Sequence, residues 1–200
     1  MEGPLERELV ARLKRAEPAA FDEAFDAYRS RLFSFLLRLC RRREVAEDLL
    51  QETWLRLATR APFLRDDTRL SPWLFTVARN LFVSYLRSRR HRIERPPKDE
   101  IEAERATGPS PFDQAAAGEL YRRLEDALGR LPTAQREALL LVAVGGFTPS
   151  EAAGIVGVRL EALRQRLARA RARLQALLRP AVGDSRVRPE TTHEILWREV

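Results

Sequence analysis

Cysteine and histidine are almost missing from this chain: Cys40 is the only cysteine, and His91 and His193 are the only histidines. A single thiol excludes an intramolecular disulfide and any multi-cysteine zinc site, and the two histidines lie far apart in sequence. Lysine is nearly as scarce, with Lys14 and Lys98 the only two among 36 basic residues. No apolar run reaches the ~18 residues of a membrane span. The opening MEGPLERELV has no apolar signal core either, so a soluble cytoplasmic protein without membrane insertion is expected. There is no phosphate-cradling glycine-rich loop and no nucleophile elbow. Glu47, Asp48 and Glu52 are the nearest thing to a metal site, but one helix carries all three and gives too little convergence. The reading is therefore not an enzyme, with no catalytic residue, metal or cofactor.

What the chain does have is positive charge and helical periodicity. Its 200 residues carry a net charge of +7 and 44% hydrophobic residues, enough for one folded domain or two small ones. Arginine dominance favours polyanionic partners, because guanidinium pairs bidentately with phosphate and with guanine edges. A GC-rich genome would also exchange lysine for arginine, so the preference alone decides little. No β-alternating run of useful length occurs. The expected fold class is all-α, as two small helical domains joined by a flexible linker.

The densest information lies in residues 148–174, TPSEAAGIVGVRLEALRQRLARARARL. Thr148, Pro149 and Glu151 form a capping box that starts a helix at a defined point. Ala152, Ala153, Ile155 and Val156 follow, and Gly157 supplies a left-handed stop. A second helix then repeats Leu160, Leu163, Leu167, Ala170 and Leu174 at helical spacing. Its other faces hold Arg159, Arg164, Arg166, Arg169, Arg171 and Arg173 against one acid, Glu161. Two helices joined this tightly, the second basic and protruding, suit a DNA major groove. A solvated surface helix is the alternative, but surfaces usually mix charge signs.

Upstream, residues 96–119 divide the chain. Pro96, Pro97, Pro109 and Pro111 break helices, and six acids face only Lys98 and Arg105. The first module, 1–95, reads as four helices: about Leu5 to Ala16, Ala19 to Cys40, Glu44 to Arg60, and one capped by Ser71 with Pro72. The third helix sets Asp48, Gln51, Glu52 and Leu55 on one outer face. An acidic patch around an exposed leucine suits a basic protein surface rather than DNA. On the fourth helix Trp73, Thr76, Asn80, Val83, Ser84 and Arg87 lie outside, running into RSRRHRIER. Aromatic and amide groups beside arginines suit unpaired bases and phosphates.

Three segments in order, EVAEDLLQETWLRLATR (44–60), SPWLFTVARNLFVSYLRSRR (71–90) and LPTAQREALLLVAVGGFTPSEAAGIVG (131–157), resemble an extracytoplasmic-function sigma factor, the minimal branch of the bacterial sigma-70 superfamily. The resemblance covers roughly 10–95 and 120–178. It implies sigma region 2 over 1–95, a linker at 96–119, sigma region 4 over 120–178 and a tail at 179–200. The function implied is an alternative sigma factor that directs core polymerase to particular promoters, recognising −35 and −10 elements and initiating melting. The partners implied are promoter DNA, the clamp coiled coil and flap of core RNA polymerase, and an anti-sigma factor.

By matching position, Asp48, Gln51, Glu52 and Leu55 would meet the polymerase clamp. Phe63, Arg65, Arg69, Trp73, Thr76, Asn80, Val83 and Arg87 would meet the −10 element, with the loop from Phe63 to Arg69 pocketing a flipped base. Arg164, Gln165, Ala168 and Arg169 would face the −35 major groove, with Arg159 and Arg166 on phosphates or neighbouring edges. One departure stands out: the family's Gly-Thr-Val step into the recognition helix is Glu161, Ala162 and Leu163 here. The 24 linker residues reach about 80 Å at ~3.3 Å each, against about 70 Å for ~20 base pairs at ~3.4 Å rise. A conventional helix-turn-helix regulator with an N-terminal helical sensor remains the alternative; it would bind DNA tightly without core polymerase.

Overall fold

A computed structural model describes residues 4–93 and 114–179. It contains eight α-helices and, among the described residues, no strand. They are α1 (Pro4–Lys14), α2 (Pro18–Cys40), α3 (Arg43–Arg60), α4 (Leu70–Ile93), α5 (Gln114–Gly129), α6 (Thr133–Ala143), α7 (Pro149–Val156) and α8 (Leu160–Leu178). A single 3-10 turn, Ala61–Phe63, links α3 to the loop before α4. Residues 94–113, which include most of the acidic linker, and the C-terminal tail from 180 onward lie outside the described residues. Residues 114–119, which composition places in the linker, are already the first turns of α5.

The first module is built on α2, α3 and α4. Pro18 fixes the start of α2, and Arg41, at φ 60°, ends it by donating its N–H to Leu37. The inward row Ala20, Ala24, Tyr28, Leu32, Phe35, Leu36 and Leu39 is buried. Trp54 of α3 packs edge-on to Phe21 at 6.0 Å and against Phe25 at 5.0 Å, geometries that aromatic quadrupoles favour.

Ser71 does not cap α4, which starts one residue earlier at Leu70. The buried carboxylate of Glu6 caps the helix instead, accepting the Ser71 N–H at 3.2 Å and the Tyr28 hydroxyl at 3.5 Å. A carboxylate is a stronger acceptor than a hydroxyl and complements the positive end of the helix. Burial and the Glu6 charge together push the Tyr28 phenol up to about 12.

In the second module, Ala127, Leu128, Leu131, Leu139, Ala170 and Leu174 form a small core between α5, α6 and α8. The remaining apolar residues of this module are continuous with the core of the first. Phe147, just before α7, lies edge-on to Phe75 of α4 at 4.9 Å, and Phe75 in turn packs against Phe35 at 5.3 Å. Gly145 permits this approach. A Cβ there would fall 2.5 Å from the Leu141 carbonyl and 2.6 Å from the Phe147 ring. The modules therefore share one hydrophobic core, reinforced by Arg38–Glu125 at 2.7 Å and Arg79–Glu137 at 2.8 Å.

Candidate nucleic-acid interface

The capping box forms as its sequence requires. Thr148 Oγ1 accepts the Glu151 N–H at 3.3 Å, and Glu151 Oε2 accepts the Thr148 N–H at 2.9 Å. That hydrogen bond from Thr148 chiefly holds the Glu151 carboxyl below its ordinary range, helped by Arg69 and opposed by partial burial. Gly157, at φ 74°, ends α7 in the left-handed region. Val158 and Arg159 complete the turn, and α8 leaves at a new angle. Its apolar row of Leu163, Leu167, Ala170 and Leu174 is buried. Arg159, Arg164, Gln165, Ala168 and Arg169 are exposed and Arg166 is half-buried. Arg164 pairs with Glu161 at 2.7 Å. The outer face of α8 is thus a continuous, arginine-flanked surface free of the core.

A second surface opens at the turn between α3 and α4. Arg56, Arg60, Phe63, Leu64, Trp73 and Val77 line a cavity of about 310 Å³, the small end of the range for ligand sites. Phe63 is 78% exposed, although a large apolar ring gains by burial. Trp73, half-buried, forms another aromatic wall. Of the sequence-derived −10 residues, only Phe63 and Trp73 line the cavity. Leu64 belongs to the Phe63–Arg69 loop expected to form a pocket, but Arg56, Arg60 and Val77 were not anticipated: the arginines look like the solvated end of a helix, and Val77 lies beside the inward-facing Leu74 and Ala78. The spacing of Arg56 and Arg60, one turn apart at the end of α3, was the signal available.

The other residues of that set do not line the cavity, and Arg65, Arg69, Thr76 and Asn80 have polar groups engaged within the chain. Arg65 is held by Asp67 at 3.0 and 3.2 Å. Thr76 donates its hydroxyl to the Pro72 carbonyl at 2.7 Å. The exposed Asn80 accepts from Arg79 at 3.2 Å, and Arg69 reaches across to Glu151 of α7. Val83 is half-buried and Arg87 exposed.

The third surface is the outer face of α3. Asp48 and Gln51 are exposed, Glu52 is half-buried, and Leu55 is 57% exposed. Glu52 also accepts from Arg56 at 3.0 Å, which ties this face to the rim of the cavity. Cys40 belongs to none of the three surfaces. Burial pushes its thiol up to about 12, which keeps it neutral and a poor nucleophile. No described helix is long and apolar enough to cross a membrane.

Comparison with known proteins finds two family matches along the chain. Residues 24–92 match the family described as Sigma-70 region 2, and residues 121–174 match Sigma-70, region 4. The chain is 38% identical over 147 residues to the ECF RNA polymerase sigma factor EcfG of Rhodopseudomonas palustris, covering 74% of this chain and 78% of that one. It is 33% identical over 165 residues to the ECF RNA polymerase sigma factor SigM of Bacillus subtilis, covering 82% and 98%. Among solved structures it resembles the sigma factor RpoE in complex with the anti-sigma factor NepR from Bartonella quintana. That match has a TM-score of 0.69 and 30% identity, and covers 79% of this chain and 96% of that one.

Proposed function

Because the chain belongs to the extracytoplasmic-function branch of the sigma-70 family and is an RNA polymerase sigma factor, we propose that it grips promoters at two points through the surfaces described above. The face of α8 around Arg164, Gln165, Ala168 and Arg169 reads the −35 element, with Arg159 and Arg166 supporting. The α3–α4 turn captures an unpaired base of the −10 element. Asp48, Gln51, Glu52 and Leu55 dock on the polymerase clamp.

The cavity lined by Phe63 and Trp73 carries this reading. Flipping a base costs a few kcal/mol of lost stacking and pairing. Stacking on an aromatic side chain returns ~1–3 kcal/mol per base, and Arg56 and Arg60 supply donors for base oxygens or the adjoining phosphate. The protein melts DNA by binding the melted form better, and it changes no covalent bond.

The packed arrangement cannot grip both elements at once. A compact chain of this length is about 40 Å across, from a radius of gyration of ~2.2·N^0.38 Å, whereas the two promoter elements lie about 70 Å apart at ~3.4 Å per base pair. The modules separate on core polymerase, and the width of each module adds to the reach of the residues between α4 and α5. By likeness to a relative solved with its anti-sigma factor, a protein inhibitor that holds the free chain in the cytoplasm belongs to the same proposal.

Run-off transcription with purified core polymerase on a genomic promoter pool tests it. Core-dependent, promoter-specific transcripts are expected. Transcripts that do not depend on the −10 and −35 sequences would overturn the two-point grip.

A further inference from the structure

Glu161 is the only acid between Arg159 and Arg179, and it occupies the centre of the face that α8 turns outward. At 3.6 residues per turn, Glu161, Gln165, Ala168 and Ala172 form the row opposite the buried Leu163, Leu167, Ala170 and Leu174. All four are exposed. Arg164 flanks the row on one side and Arg169 on the other. The small side chains of Ala168 and Ala172 let the helix approach base edges closely, which leaves Glu161 and Gln165 as the polar groups pointing straight into a groove.

Glu161 is also the second residue of α8, in the N-terminal part of a recognition helix where base contacts concentrate. Its carboxylate is 75% exposed, and one oxygen, Oε1, receives Arg164 Nη1 at 2.7 Å. That bond holds the Arg164 fork in place and leaves its Nε–Nη2 edge available, the geometry needed for a bidentate contact to guanine O6 and N7. A carboxylate brought between two phosphate backbones is repelled unless it finds a donor. On the major-groove edges the donors are amino groups. Cytosine offers N4 alone, whereas adenine sets the N7 acceptor beside its amino group and repels a second carboxylate oxygen.

We propose that Glu161 is a specificity-determining residue for the −35 element. Oε1 orients Arg164 onto a guanine, and Oε2 accepts the N4 amino group of a cytosine in that base pair or the next. The inference rests on the promoter reading above and assigns its base preference to a residue that departs from the family pattern.

The test uses core polymerase loaded with wild-type chain, Glu161→Gln or Glu161→Ala, transcribing a library randomised across the −35 element with a fixed −10 element. Sequenced transcripts of the wild type are expected to enrich cytosine at one position beside a guanine. Glu161→Ala should flatten that one position by roughly 5- to 150-fold, the discrimination of a lost base contact. Glu161→Gln should move it towards adenine, because an amide both accepts from N6 and donates to N7. Thermal melting of each variant shows whether α8 stays folded. A wild-type −35 preference that both variants keep, or weaken evenly at every position, overturns this assignment alone and leaves Glu161 a stabiliser of the helix N-terminus. Wild-type transcription with no −35 dependence overturns the promoter reading and this assignment together.

Discussion

Arg79 of α4 places its Nε 2.8 Å from Glu137 Oε1 of α6, where the glutamate side chain is only 6% exposed and the arginine 22%. The pair bridges two modules that the two-point promoter proposal requires to part. It is therefore a poor choice for permanent glue and a good one for a reversible joint, since both charges regain water on separation. Removing one partner leaves the other stranded at the interface. Glu137→Ala is expected to weaken the packed state by about 3 kcal/mol, the low end for a broken buried pair. Small-angle scattering should then show a larger radius of gyration with unchanged helical content. A variant as compact as the wild type would show that the remaining contacts, Phe75 with Phe147 and Arg38 with Glu125 among them, hold the modules together without this pair.

Two glycines should respond to alanine with opposite signs. At Gly145 the new methyl meets the Leu141 carbonyl and the Phe147 ring at 2.5 and 2.6 Å, an overpacking expected to cost about 1–3 kcal/mol. Gly154 lies within α7 and has nothing within 4 Å of the added Cβ. Alanine there should stabilise by about 0.5–1 kcal/mol through helix propensity. Urea midpoints of the two variants decide both signs in one experiment.

Local signals reported local structure. The Thr148–Glu151 box and the Gly157 stop depend on residues within one turn, and they form as read. Ser71 looked like a cap by the same logic, but its N–H is taken by Glu6, 65 positions away, and no local pattern encodes that. Phe75 shares an apolar row with Ala78 and Phe82, and the helical period marks it as core. That its ring meets Phe147 of the second module as well as Phe35 of the first is long-range packing that no local period encodes. Glu137 and Arg136 are charged residues that sequence alone would place in water, and both are buried. In the candidate site Trp73 was legible as an aromatic ring ahead of a basic run, whereas Phe63 was named only through the family resemblance. Arg56 and Arg60 were not legible, since only the fold turns that end of α3 towards them.

Glu151 makes the entry to the helix-turn-helix sensitive to acid. Its carboxyl is held below the ordinary value of 4.5, mainly by the Thr148 N–H and further by Arg69. A folded-state value below the unfolded one means a contribution that is complete above about pH 5 and lost as pH falls through the lowered value. Glutamine keeps the hydrogen bond of a capping box without the charge. Glu151→Gln should therefore flatten this part of the acid limb in a plot of stability against pH from about 6 to about 3. An unchanged limb would assign acid sensitivity to other carboxylates, Asp66 with Lys14 being the next in line.

Trp73→Ala separates base capture from fold maintenance, because the ring is half-buried and lines the open cavity. The expected loss is about 1–3 kcal/mol per stacked base, or roughly 5- to 150-fold in holoenzyme affinity for a single-stranded −10 non-template strand. Binding to fully duplex −35 DNA should hardly change. Equal losses on both probes would mean that the substitution disturbs the module and not the pocket.

Leu55 offers the cleanest test of polymerase docking. Its side chain is 57% exposed, so little apolar burial within the chain depends on it, and an arginine there should leave thermal stability within about 0.5 kcal/mol. On the proposed docking face the same change has a different weight. An apolar centre ringed by Asp48, Gln51 and Glu52 has the layout of an interface hot spot, where truncating or charging the central residue costs about 2 kcal/mol or more. Leu55→Arg also sets a positive charge against a basic partner surface, adding repulsion to lost burial. Affinity for core polymerase, titrated by fluorescence anisotropy of a labelled chain, should fall at least about 30-fold. Asp48→Ala, at the rim, should fall by less and mainly through the association rate, with a weaker dependence on salt. Wild-type affinity in Leu55→Arg would move the docking site off α3 altogether.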